Sequence, residues 1–257
     1  MKTLHINKKI VKVYDSIDEM PIVNFQKYNK YLLIDSGLGS DADDIDSHIS
    51  KIAKFIKADD TKKALLELQN MRQTLYIINN EISPKYLAFT ALIHSIDNEE
   101  IKDLSDDNLK AILTELSAVK HSKIINFLVW LKKKVLAELE TYFPGNFVGP
   151  KEKEAYDKLK RRALLVLEAI ANDTDNSEQI QAIDLEMLKN ISPNIYMGSE
   201  SVEIKYDKQF ETACILISQK LNMDAKSMTV LQFYNAIDTI KAQLEAETKS
   251  IKHKKVR

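Results

Sequence analysis

Apolar positions recur at three- and four-residue spacing over most of this chain, and strict alternation is confined to its first fourteen residues. Leu4 and Ile6 stand on one side of a polar turn, Asn7-Lys-Lys9, and Ile10, Val11 and Val13 follow it. β-Branched residues flanking a short polar turn predict a small hairpin. Two strands alone are marginal, so this hairpin needs helices to lie on or a strand from another subunit to pair with.

From Ile22 onward the period is helical. Ser16-Ile-Asp-Glu-Met20 has the form of a helix start, with Ser16 as cap and Glu19 three residues on, and Pro21 then marks a break. Ile22 to Ile34 is an aromatic-rich helix that Gly37 and Gly39 end. Asp41 opens a helix carrying Ile45, Ile49, Ile52, Phe55 and Ile56 on one face, and its acidic first turn suits the positive end of the helix dipole. The next helix, over 60–79, carries Leu65, Leu68, Leu75 and Ile78. Ser83-Pro84 opens another through Ile96, and Asp103-Leu-Ser105 caps a fifth. Further helices are predicted over 124–142, over 151–171 with Leu159, Ala163, Val166, Leu167 and Ile170 along one side, and over 180–188, 210–221 and 229–248. Val202 to Tyr206 reads as a short strand. No repeat of solenoid period is present.

The clearest interruption is Phe143-Pro-Gly-Asn-Phe-Val-Gly-Pro150. The fold expected is mainly α: a multi-helix bundle with a short N-terminal β-hairpin, divisible into two helical subdomains. Residues 1–40 would hold the hairpin, a short helix and a loop, 41–143 a helical domain, 144–150 the Pro/Gly boundary and 151–257 a second helical subdomain. Only 5 Gly and 5 Pro in 257 residues agree with this, because sandwiches and barrels spend both on frequent turns.

Charge narrows the partners. The chain has 37 basic and 38 acidic residues, a net charge of −1, whereas nucleic-acid binders carry a basic excess or a basic face. The one basic cluster, Lys249 to Arg257, reads as a solvated terminus. No sequence-specific nucleic-acid contact is expected. The start lacks the apolar run of a signal peptide and no stretch approaches ~18 uninterrupted apolar residues, so no membrane span is expected.

The residues that could carry chemistry read as structural. Cys214 lies in the apolar run Ala213 to Ile217 and is a core residue. The acidic loop 35–46 fails the EF-hand spacing: counted from Asp41 the twelfth residue is Ile52, and counted from Asp35 the glycines fall where ligands belong. Gly37-Leu-Gly39 lacks the lysine and hydroxyl of a phosphate loop. His5, His48, His94, His121 and His253 form no metal-ligand spacing; His48 pairs with Asp44 at the surface and His94 sits at a core edge. No Gly-x-Ser-x-Gly elbow exists, and the paired acids Asp106-Asp107 and Asp173 with Asp175 are caps or loop residues. Phe210 to Leu221 followed by Thr229 to Thr248 lacks the face of a helix-turn-helix and reads as a packed antiparallel pair. No catalytic residue, cofactor or metal is expected.

Tyr14-Asp-Ser-Ile-Asp-Glu-Met-Pro-Ile22, Phe25, Tyr28-Asn-Lys-Tyr31, Asp35-Ser-Gly-Leu-Gly-Ser-Asp41 and Leu68-Gln-Asn-Met-Arg-Gln73 together resemble a pattern of tailed bacteriophages of Bacteroidales, including crAss-like ones. Met228-Thr-Val-Leu-Gln-Phe-Tyr-Asn-Ala236 is similar to the end of some tail assembly chaperones. The resemblance implies a virion protein of the neck or tail, or an assembly factor, made in the host cytoplasm. Its partners would be other virion proteins and copies of itself.

Three functions follow as expectations. The first is a non-enzymatic structural subunit assembling into a ring, with Ile10, Val11, Val13 and Tyr14 of the hairpin and Phe143 and Phe147 of the Pro-Gly break as its contacts. The second is a cytosolic tail assembly chaperone. The third is an enzyme whose site gathers distant residues without a local motif.

Overall fold

The computed structural model describes residues 1–80, 83–116, 121–144, 150–190 and 192–255. The protein is mainly α with a small N-terminal antiparallel hairpin, and its chain divides into two compact units. The first is built from Met1–Ser36, Ser83–Tyr142 and Met197–Arg257, the second from Gly37–Ile82 and Phe143–Tyr196. Each unit is assembled from separated segments of the chain.

In the first unit, β1 (Lys2–Ile6) and β2 (Lys9–Val13) form the hairpin, and α1 (Ile22–Leu38) follows. α4 (Pro84–Ala91) leads into β3 (Ile93–Ile96) and β4 (Glu99–Glu100), and α5 (Asp106–Glu115), α6 (His121–Tyr142), α9 (Val202–Leu221) and α10 (Val230–Lys255) complete the unit. The sheet is antiparallel in the order β1-β2-β3-β4. The hairpin thus finds its third strand within its own chain, with Val11 opposite Leu4 on one side and Ile96 on the other. The segment expected to continue as helix to Ile96 instead turns at Leu92, whose carbonyl accepts from the Tyr14 amide at 3.0 Å. Alternating inward Ile93 and Ser95, and the turn Asp97-Asn98 at φ +50° and +70°, are a second hairpin signal that the apolar run of 87–93 masks.

Val202 to Tyr206 is the start of α9 and not a strand. Ser201 accepts from the Ile204 amide at 3.3 Å, and Glu203 occupies the first turn, so capping outweighs local β preference. Ser16 to Met20 is a tight turn ahead of α1. The core of this unit gathers Ile17, Met20, Leu92, Ile93, Leu109, Leu116, Leu131, Ile217 and Val230. Phe89 meets Phe127 edge-to-face with ring centroids 5.9 Å apart.

In the second unit, α2 (Ala42–Lys57) and α3 (Thr61–Asn79) form one helical hairpin, and α7 (Pro150–Asn172) and α8 (Ser177–Asn190) another. Asp41 and Asp44 close a reciprocal capping box at the start of α2, and Asp60 caps α3 by accepting from the Lys63 amide at 3.1 Å. Gly39 at φ +70° turns the chain out of α1, and the Asp44 carboxylate fills the space where its Cβ would be.

Candidate functional site

The strongest cluster of chemistry-bearing side chains lies inside the second unit, between α2 and α3. His48 is 2% exposed and Glu67 3%. His48 Nδ1 meets Glu67 Oε1 at 2.8 Å, and Nε2 lies 2.9 Å from Thr74 Oγ1. A hydroxyl, an imidazole and a carboxylate in that order are the parts of a nucleophile relay. Glu67 and Thr74 are two turns apart on α3, which places both on the face that meets His48.

The surrounding acceptors and the burial give the cluster another role. His48 Nε2 also faces the Leu38 carbonyl at 3.1 Å, an acceptor that suits an N–H at that position. Thr74 donates its hydroxyl hydrogen to the same carbonyl at 2.6 Å. Leu38 is the last residue of α1, so two side chains satisfy an orphan C-terminal carbonyl at the negative end of that helix. A general base at His48 would need a free lone pair on Nε2, and the nucleophile would need access. Thr74 is fully buried. Burial opposes the Glu67 carboxylate, but the hydrogen bond from His48 and the charge of Lys51, 3.3 Å away, outweigh it and hold its pKa below the usual range. Asn70, also buried, donates to the Asn194 carbonyl at 3.0 Å. The network is a structural clamp.

This overturns the expected surface pair of His48 with Asp44. The Asp44 carboxylate is occupied by the Ser40 amide at 2.7 Å and the Asp41 amide at 3.1 Å. It also leaves part of the apolar rows of the helices in solvent. α3 buries Ala64, Glu67, Asn70 and Thr74 and exposes Leu65, Leu68 and Leu75. α2 buries His48 and Phe55 and exposes Ile49 and Ile56. α7 exposes Leu159, Leu167 and Ile170. The available signal was the row Glu67, Asn70, Thr74, polar at helical spacing and flanked by alanine and leucine.

A second polar cluster joins α1, α5 and α9 in the first unit. Asp106 pairs with Lys27 and accepts from the Tyr31 hydroxyl at 2.9 Å, and Lys30 pairs with Asp207 at 2.6 Å. Burial alone would raise the Asp106 carboxyl, yet the bonds from Lys27 and Tyr31 hold it low, and burial pushes Glu203 up. Each base here is matched to an acid. A cavity of about 370 Å³ is lined by Cys214, Glu211, Ser218 and Lys226, but burial pushes the Cys214 thiol up, away from nucleophilic chemistry, and Lys226 pairs with Glu211 at 2.7 Å. Among the described residues no three His, Cys, Asp or Glu side chains converge on a position for a metal ion, and no helix is long and apolar enough to cross a membrane.

The residues expected as contacts divide sharply. Ile10 is exposed. Val11 and Val13 are fully buried on the strand between β1 and β3, and Tyr14 is buried with its hydroxyl 3.0 Å from His94 Nδ1. Phe143 is 4% exposed. Phe147 lies outside the described residues. These four buried side chains therefore serve the core of their own chain, because an apolar side chain sealed there gains nothing from a partner. Two of the segments quoted for the resemblance meet each other: Pro21 bridges to Thr229, the Ile22 amide donates to the Met228 carbonyl at 2.9 Å, and the Val230 amide donates to the Met20 carbonyl at 2.9 Å. Their side chains Met20 and Val230 are fully buried, so this pairing is a joint of the fold.

Comparison of the chain with protein-family models, with curated proteins and with solved structures finds no match in any of the three.

Proposed function

We propose that this protein works by holding other protein chains and turns over no substrate, as a structural component of the neck or tail of a tailed bacteriophage that assembles with copies of itself and with other virion proteins. One observation carries the reading. Three helices of a single unit, α2, α3 and α7, each leave part of their apolar row in solvent. Ile56 is 63% exposed, Tyr76 60% and Ile170 77%. Contiguous apolar side chains left outside a well-formed core are the usual mark of a protein contact surface. The phage setting rests on the sequence resemblance. The polar clusters described above, matched internally, supply no competing site.

Mass spectrometry of purified particles and of assembly intermediates tests this. Peptides of this chain in mature particles support the structural reading. Their presence only in intermediates favours the tail assembly chaperone. Their absence from both overturns the proposal.

A further inference from the structure

The sheet of the first unit has two outer edges, β1 and β4, and they carry opposite charge. Ladder bonds in the first hairpin alternate from the Ile6–Lys9 pair at its turn. Lys2, Leu4 and Ile6 therefore bond to β2, while the backbone amides and carbonyls of Thr3 and His5 point away from the sheet. Both residues are exposed, and among the described residues no group bonds to that backbone. At the other edge the Ile101 amide extends the β3–β4 ladder by donating to the His94 carbonyl at 2.9 Å, which turns the backbone of Glu100 and Lys102 outward. Residues 1–13 hold Lys2, Lys8, Lys9 and Lys12 and no acid, whereas residues 97–103 hold Asp97, Glu99, Glu100 and Asp103 against Lys102 alone. Of the hairpin lysines only Lys9 has an ion-pair partner among the described residues, Glu115.

We infer that copies of the chain join head to tail, β1 of one pairing antiparallel with β4 of the next to make a continuous sheet. Open backbone donors and acceptors along an edge are completed by a strand, so the geometry of the edge specifies the kind of partner. Charge then selects which strand. Two β1 edges would set lysine-rich hairpins side by side, and two β4 edges would set acid against acid, whereas β1 against β4 joins opposite signs. Within the chain β4 runs antiparallel to β1, so the pairing continues the alternation of the sheet and keeps one face toward the helices. One register uses both outward residues of each edge, with Thr3 opposite Lys102 and His5 opposite Glu100 of the neighbour. It also brings Leu4 to Ile101 on the helix-facing side and Lys2 to Asp103. A contact between two different edges is heterologous and repeats from copy to copy, closing into a ring or running on as a filament. The inference rests on the assembly reading and names the edges and the partner for it.

Sedimentation velocity of the full chain from about 10 to 500 μM tests the pairing. The wild type is expected to grow in mass with concentration. Thr3→Pro and Glu100→Pro each remove one outward amide and no ladder bond within the chain. Each alone is expected as a monomer, and their equimolar mixture as a one-to-one dimer and nothing larger, with circular dichroism checking that both variants are folded. A monomeric wild type overturns the inference, as does a mixture of folded variants that stays monomeric. Self-association of Glu100→Pro alone assigns the contact to two β1 edges, and that of Thr3→Pro alone to two β4 edges, and either overturns it too. Glu100→Lys spares the backbone and serves where a proline variant fails to fold. It is expected to weaken association about tenfold, and His5→Glu added to it to restore the wild-type value. A double variant no tighter than Glu100→Lys overturns the inference. A monomer that is nonetheless found in particles sinks this pairing and leaves the assembly reading standing, and a head-to-tail oligomer absent from particles and intermediates does the reverse.

Discussion

Tyr28 and Tyr31 sit one turn apart on α1, both buried, and only the Tyr31 hydroxyl has an acceptor, Asp106 Oδ1 at 2.9 Å. The Tyr28 hydroxyl finds no partner among the described residues, and burial pushes its pKa up to about 12. Removing an unsatisfied buried hydroxyl removes a desolvation cost, whereas removing a bonded one leaves its partner short. Tyr28→Phe is therefore expected to leave stability unchanged or raise it by up to ~1 kcal/mol, and Tyr31→Phe to lower it by about 1 kcal/mol. Urea unfolding of both variants checks the contrast, and equal losses would refute it.

Glu67 links the α2–α3 clamp to pH. Its folded pKa is lowered from 4.5, burial being outweighed by the His48 hydrogen bond and by Lys51. A depressed carboxylate contributes its stability in full above the unfolded pKa and loses it as pH falls through the folded one. Stability should fall below about pH 4.5. Glu67→Gln should lose about 1–3 kcal/mol at neutral pH and show a flatter acid limb. Urea midpoints between neutral and acid pH measure both, and an acid limb as steep in the variant as in the wild type counts against the clamp.

Gly37 tests close packing. A Cβ there would strike the Tyr196 ring, with Cε2 at 2.8 Å, and Tyr196 is itself buried and cannot swing aside freely. Alanine is the better helix former by about 1 kcal/mol, so an isolated helix would gain from the change. In this protein Gly37→Ala should instead cost about 1–3 kcal/mol. Thermal unfolding of Gly37→Ala, Tyr196→Ala and the pair gives the coupling: the double variant should be more stable than the sum of the singles.

Lys8 tests the hairpin turn. Asn7 and Lys8 have φ of +46° and +64°, the two left-handed positions of a two-residue turn joining Ile6 to Lys9. Asparagine tolerates that region and lysine resists it. Lys8→Gly is expected to stabilise the protein by about 0.5–1 kcal/mol, read as a rise in unfolding midpoint, and a fall would show the turn to be held by the lysine side chain.

Much of this fold is written locally. The first hairpin, the caps at Asp41, Asp60 and Ser105, the end of α1 at Gly39 and the burial of Cys214 follow from residues within a few positions of each other. Helix periodicity placed nearly every helix, because spacing along one segment needs no knowledge of the rest. What periodicity cannot say is which of two faces a neighbour will cover. The inward row of α3 is Glu67, Asn70 and Thr74 because His48, Leu38 and Asn194 arrive from distant segments to satisfy it. Without those partners the same row would be costly to bury, and the leucines would be the natural core. β3 likewise exists because β2 offers an edge more than eighty residues earlier in the chain. Local sequence thus decided where helices begin, end and cap, since those bonds close within one turn. Tertiary pairing decided which faces are hidden, since satisfying a buried polar group requires both partners to be present.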